Sequence, residues 1–254
     1  MKTVLLLGDS ITEQGYCSGW VSNVSDALIR RAYVVNSGLS GYNTRWILQL
    51  LNDAKSYDSV IPPWVQEPLF VTLMLGTNDS AENGQGVPLA EYRDNLRAIV
   101  DIVLTKVKPV GGVFVLTPPP VQETLWNFQH PDGRRSYTAA RSYRQAALEV
   151  ASEAGKVHPQ KVHPVDIQRA FLEYGAPGAT EDDMDKFNPQ GAWTTLMDPD
   201  GMHINPLGGQ LVSATVLSAV RNSPQGSKVL QNDKTVWPLL SWEDMMEKHA
   251  AQDK

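Results

Sequence analysis

What most constrains this chain is an alternation. Four short apolar runs, TVLLL (3–7), YVV (33–35), LFVTLML (69–75) and GVFVLT (112–117), are separated by stretches of helical periodicity. Runs that are continuously β-branched or leucine-rich, with no polar residue at every second position, suit strands buried on both faces, which is the situation in a parallel sheet. KVHPVDI (161–167) is a fifth, shorter candidate. Between the runs, Trp20, Val21, Val24, Leu28 and Ile29 recur at helical spacing, as do Leu89, Tyr92, Leu96, Ile99, Val100 and Val103. Strands alternating with amphipathic helices build βαβ units. Two more helices are predicted over 137–154 and 206–221, the second opening with Asn205 and Pro206 at the cap and first-turn positions.

The chain has 254 residues, 42% of them hydrophobic, which is enough to bury a full core. No repeat or Gly/Ser linker divides it, so a single domain spanning 1–254 is expected, with a helical tail from about 228 to 254. A net charge of −6 without a Lys/Arg stripe argues against a nucleic-acid partner. The single cysteine, Cys17, allows no intramolecular disulfide. The apolar stretch of residues 4–7 is too short for a signal sequence, and no segment approaches the ~20 apolar residues needed to span a bilayer. The expectation is a cytoplasmic protein. Residues 174–201, with an acidic cluster from Glu181 to Asp185, read as a solvated surface insertion; the alternative is a wall over a site. In the tail, Ser241 can cap a helix carrying Trp242, Met245 and Met246 on one face. That face is expected to cover the protein's own body, with a homodimer contact as the alternative.

In open parallel sheets, ligands bind beyond the carboxyl ends of the strands. The first four runs are followed by GDSIT, NSGLSGYNT, GTNDS and PPP. Three of these ends carry glycine beside serine, asparagine or aspartate, as a site of backbone N–H groups and short polar side chains requires. Ser10, at the end of the first run, reads equally as a helix cap and as a nucleophile. As a nucleophile it needs a base and an orienting acid. Of the five histidines, His130, His158, His163, His203 and His249, His203 has the richest surroundings: in DPDGMHINPLGG, Asp200 precedes it by three residues. One tight turn can hold that carboxylate against the ring. The backbone N–H groups of Ser10 and Gly41 and the side-chain amide of Asn78 would lie at adjacent strand ends, where they could surround a developing oxyanion. Separately, Gly41 also fits an ordinary turn and Asn78 an Asx turn.

GDSIT, SGYNT, GTND and DGMH, in this order between residues 8 and 203, resemble the four conserved blocks of the GDSL or SGNH hydrolases, with Ile11 where the family name has leucine. The resemblance implies a three-layer, flavodoxin-like α/β/α sandwich around a five-stranded parallel sheet. It implies Ser10 as nucleophile, His203 as base, Asp200 as acid, and Ser10, Gly41 and Asn78 as the oxyanion hole. No metal and no cofactor are expected. Within the family, GYNTR, GTND and TPPP are most similar to the isoamyl acetate-hydrolysing esterases, so the expected activity is hydrolysis of short-chain, acetate-type esters of small molecules through an acyl-enzyme. Sugar O-acetyl deacetylase, lysophospholipase and thioesterase activities use the same chemistry, and a binding module without turnover is the reading from another class.

GYCSG (15–19) imitates a nucleophile elbow around Cys17, but no strand precedes it; Cys17 is expected to be a small, partly buried filler. No HExxH or Cys/His cluster is present, and Asp198 with Asp200 is a lone carboxylate pair. Asp9 is expected to be structural and Asp79 to brace the loop of Asn78. Tyr42, Pro118 to Pro120 with Pro119 at their centre, Trp193 and Met202 are the candidate walls of a small acyl pocket.

Overall fold

A computed structural model describes residues 2–226, 230 and 241–252. Its elements are β1 (Lys2–Gly8), α1 (Ser10–Glu13), α2 (Trp20–Ala27), β2 (Ala32–Gly38), α3 (Thr44–Asn52), α4 (Tyr57–Val60), β3 (Val71–Met74), α5 (Leu89–Ile102), β4 (Val113–Leu116), α6 (Glu123–Gln129), α7 (Tyr137–Val157), β5 (Val162–Val165), α8 (Ile167–Glu173), α9 (Glu181–Met184), α10 (Pro206–Asn222) and α11 (Trp242–Gln252). All five predicted strands form one sheet in the order β2-β1-β3-β4-β5, every pair parallel. Leu5 stands between Val35 and Val71. Pro164, which cannot donate to a ladder, sits in the edge strand β5, where its missing N–H is tolerated.

The three central strands, β1, β3 and β4, bury both faces, the edge strands β2 and β5 only in part, and the side chains divide by parity. Leu5, Leu7, Val71, Leu73, Val113 and Val115 point into a core shared with α3, α5 and α7. Val4, Leu6, Phe70, Met74, Phe114 and Leu116 point into a second core shared with α2, α8 and α10. Hence the absence of polar alternation in the central runs: three layers leave β1, β3 and β4 no face for water. Since β1 lies between β2 and β3, the winding of the sheet reverses there and a crevice opens at the carboxyl ends of β1 and β3. The turn carrying α1 lies against the ends of β1 and β2, at one side of this crevice. A Cβ on Gly38 would come within 2.1 Å of the Glu13 nitrogen, so the end of β2 must be glycine for α1 to settle on it.

The chain forms helices beyond those predicted, and several expectations need correction. Residues 44–52 form α3, capped by Asn43, whose Oδ1 accepts from the Trp46 N–H at 2.9 Å. The acidic segment within 174–201 is mostly exposed, as read, and it is also fastened to the body. Thr180 and Asp183 form a capping box, Met184 is buried, and Glu181 accepts from Arg144 at 2.9 and 3.0 Å. Arg144 is itself buried and also grips Asp166. Ser241 caps α11 as read, but Trp242, Met245 and Met246 stand exposed instead of covering the described body. The remainder of the expected tail, 228–229, 231–240 and 253–254, lies outside the described residues. Cys17, expected to be partly buried, is exposed at the end of a 3₁₀ turn.

Candidate active site

Asp9, not Ser10, caps α1: its Oδ1 accepts from the Ile11 N–H at 3.0 Å. Both residue types cap well, and the aspartate taking this place leaves the serine hydroxyl available. Ser10 is the first residue of α1, so its N–H has no acceptor within the helix. Its Oγ lies 2.9 Å from His203 Nε2. On the other side of the ring, His203 Nδ1 is 2.5 Å from Asp200 Oδ2. Asp200 Oδ1 accepts the N–H groups of Met202 and His203 at 2.9 and 3.0 Å. A bridge between Met197 and Ile204 closes this turn, with Gly201 at φ +79° inside it.

The electrostatics follow from these contacts. Burial works against an Asp200 carboxylate, but the hydrogen bonds from the His203 ring and the two N–H groups prevail and hold it down at about 2. The hydrogen bond to Asp200 raises His203 above the ordinary histidine value, against the opposing effect of burial. Burial raises Asp9 to about 7 and Asp79 to about 6. One oxygen of each, Oδ2, has no hydrogen-bond partner among the described residues.

Gly41 is the third residue of a turn that the Tyr42 N–H closes on the Leu39 carbonyl, and its φ of +80° suits glycine there. Two contacts hold this turn over the crevice: the Ser40 N–H donates to Glu13 Oε2 at 2.7 Å, and Gln85 Nε2 donates to the Gly41 carbonyl at 2.8 Å. No acceptor among the described residues takes the Gly41 N–H. Asn78, beyond β3, donates from Nδ2 to the Tyr42 carbonyl at 2.8 Å, which uses one of its two amide hydrogens. Asp79 braces the loops more widely than expected, since its Oδ1 accepts the Thr44 N–H at 3.0 Å and also the Thr44 hydroxyl. It therefore ties the end of β3 to the start of α3.

Two participants carried no signal in the sequence. Gln85 bonds Gly41, accepts from Asn43 through its carbonyl, and accepts from Arg135. Arg135 is buried and donates to the Thr77 carbonyl, Asn78 Oδ1 and Gln85 Oε1. Of the candidate walls, Tyr42 touches Asn78 through its carbonyl while its ring lies edge-on to Trp46. Pro119 is buried beyond β4, and Met202 is buried with Val121, Ala140 and Trp126. Trp193 is buried in the α2/α8/α10 core, near Tyr137 and Phe187. His203 itself lines a cavity of ≈ 230 Å³ with Ile11, Gln14, Cys17, Asp198 and Pro206.

A half-buried carboxylate, an imidazole and a buried hydroxyl in this series have the geometry of an orienter, a base and a nucleophile, and the N–H groups of Ser10 and Gly41 and the second hydrogen of the Asn78 amide are donors in reserve. The sequence pattern of the GDSL-like lipase/acylhydrolase family matches residues 6–211. A GDSL esterase/lipase of Arabidopsis thaliana is 34% identical over 87% of this chain and 86% of its own length. An isoamyl acetate-hydrolyzing esterase 1 homolog of Bos taurus is 37% identical over 60% of this chain and 63% of its own. Among solved structures, an acetylxylan esterase from Geobacillus stearothermophilus superposes with a TM-score of 0.59 at 23% identity, covering 86% of this chain and 93% of that one. An alpha/beta hydrolase from the metagenome of Lake Arreo, Spain, does so with a TM-score of 0.59 at 23% identity, over 91% and 97%. The structural likenesses show the shared fold.

Proposed function

We propose, for a chain that belongs to the GDSL-like lipase/acylhydrolase family and is a carboxylic ester hydrolase, that it cleaves short-chain, acetate-type esters with Ser10 as its nucleophile. The observation that carries this reading is the unbroken series Ser10 Oγ, His203 Nε2, His203 Nδ1, Asp200 Oδ2, at 2.9 and 2.5 Å across its two gaps. His203 takes the hydroxyl proton as Ser10 attacks the ester carbonyl. The resulting oxyanion is held by the N–H groups of Ser10 and Gly41 and by Asn78. His203 then returns the proton to the alkoxide, the alcohol departs, and water repeats the sequence on the acyl-enzyme. Asp200 keeps Nδ1 protonated, which leaves Nε2 free to act as the base.

One observation supports a small substrate: the isoamyl acetate-hydrolyzing esterase homologs are relatives of this chain. Among the described residues no helix is long and apolar enough to cross a membrane, and action in the cytoplasm on a small-molecule ester is part of this reading.

Hydrolysis of p-nitrophenyl acetate, butyrate and octanoate by the wild type and by Ser10→Ala tests it. Turnover should fall from acetate to octanoate and drop by about 10⁴-fold or more in the variant. Equal rates in both proteins would remove Ser10 from the mechanism, and a preference for octanoate would remove the short-chain assignment.

A further inference from the structure

Arg135 lies between α6 and α7, where Asn127 holds its backbone from both sides: the Arg135 N–H donates to Asn127 Oδ1, and Asn127 Nδ2 donates to the Arg135 carbonyl, each at 2.9 Å. The side chain runs inward and is only 3% exposed. Nη1 donates to the Thr77 carbonyl at 2.7 Å; Nη2 donates to Asn78 Oδ1 at 3.0 Å and to Gln85 Oε1 at 3.1 Å. The guanidinium carbon stands 5.3 Å from the ring of Trp126.

These contacts determine which way the Asn78 amide faces. A guanidinium has donors and no acceptor, so the Asn78 atom opposite Nη2 must be oxygen. The Tyr42 carbonyl can only accept, so the atom opposite it must be nitrogen. One Nδ2 hydrogen is committed to Tyr42, and the other is left for a substrate. A neutral donor would suffice to hold the amide. A cation behind the carbonyl does more, because a charge-assisted hydrogen bond to Oδ1 polarises the amide and makes its N–H a stronger donor. Burying a charge here is costly, and the nearby Asp9 and Asp79 carboxylates partly offset that cost.

We propose that Arg135 is a positioning residue for ester hydrolysis, fixing the Asn78 amide and strengthening it as an oxyanion donor. The inference rests on the proposed oxyanion role of Asn78. Its action should appear in the transition state and pass through Asn78.

The test is a double-mutant cycle on p-nitrophenyl acetate with the full chain: wild type, Arg135→Gln, Asn78→Ala and the double variant, with Arg135→Lys as the conservative change. Arg135→Gln should lower kcat roughly 10-fold to 100-fold with KM within about 3-fold of the wild type. Arg135→Lys keeps the charge but loses the planar fork, and should fall between the two. Once Asn78 is alanine, either change at 135 should cost less than about 3-fold, because the group it acts through is gone. An equal loss in both backgrounds, or a loss confined to KM, would overturn the proposal while leaving Asn78 in its role. Full activity in Asn78→Ala would overturn the oxyanion reading and this inference with it. Should Arg135→Gln fail to fold, the cycle of Arg135→Lys with Asn78→Ala decides by the same criterion.

Discussion

Asp200 and His203 are three residues apart and share one turn, closed by backbone N–H groups that donate to the same carboxylate. Asn78, Gly41 and the residues that hold them are brought together from far along the chain: Thr44 by Asp79, 35 residues on; Gly41 by Gln85, 44 residues on; Thr77 by Arg135, 58 residues on. The first half of the site is a local structure with its own geometry. The second is a buried polar network in which every member depends on loops from three strand ends. Such networks are cooperative, and they fail badly when one partner is lost. Changes in the local half should therefore separate chemistry from stability, and changes in the laced half should affect both.

The largest effect expected in the local half comes from Asp200→Asn. The amide can still accept the N–H groups of Met202 and His203, so the turn should persist and the melting temperature should change little. The imidazole, however, loses the partner that fixes its tautomer, and kcat should fall by about 10⁴-fold. Kinetics and a thermal melt on the same sample check both parts. A melt lowered as much as that of an Asp79 variant would erase the distinction between the halves.

Asp79→Ala is the matching change in the laced half. It strands the hydroxyl and N–H of Thr44, both buried. The expected loss is about 1–3 kcal/mol of stability, read by urea unfolding, together with a drop in kcat on acetate esters roughly 10-fold in size. Unchanged stability with intact activity would mean that the loops beyond β2 and β3 hold their places without this tie.

The same contrast explains what could be read from the sequence. The central strands announced themselves because three layers bury both of their faces, as Leu5 and Leu6 illustrate by entering opposite cores. Ser10, Asp200 and His203 stood in short patterns whose chemistry is local. The competition between Asp9 and Ser10 for the cap was not legible, since either residue can fill it. Helix α3 is itself legible, with Ile47, Leu48 and Leu51 at helical spacing behind the cap Asn43 and Leu48 and Leu50 also packed on the core, so its absence from the expected helices has no physical cause. Arg135 and Gln85 were hidden for a stronger reason: arginine in a polar loop normally faces water, and the partners that draw Arg135 inward are more than fifty residues away or reached through other side chains. The exposure of Trp242, Met245 and Met246 was also unreadable from periodicity, which identifies an apolar face but not its partner.

The smallest effect is a displacement on the pH axis, and it assigns the titration to one half of the site. His203 serves as base only when neutral, so kcat/KM should fall as pH drops through its pKa. Because Asp200 raises that pKa, the acid limb should lie above the ordinary histidine value near 6.5. Removing the carboxylate removes the largest raising cause, so the residual activity of Asp200→Asn should show its limb at lower pH. Asn78→Ala should lower the plateau and leave the limb in place, for Asn78 does not titrate. Asp9 is the competing assignment, since burial brings it to about 7. Asp9→Asn keeps a good N-cap and removes that titration. Its charge adds only a lesser raising effect on His203 than Asp200 does, so the limb should survive with a slight downward displacement. Were the limb to vanish instead, the group that gates activity would be the buried carboxyl that caps α1, and the pH dependence would not belong to the local turn of Asp200 and His203.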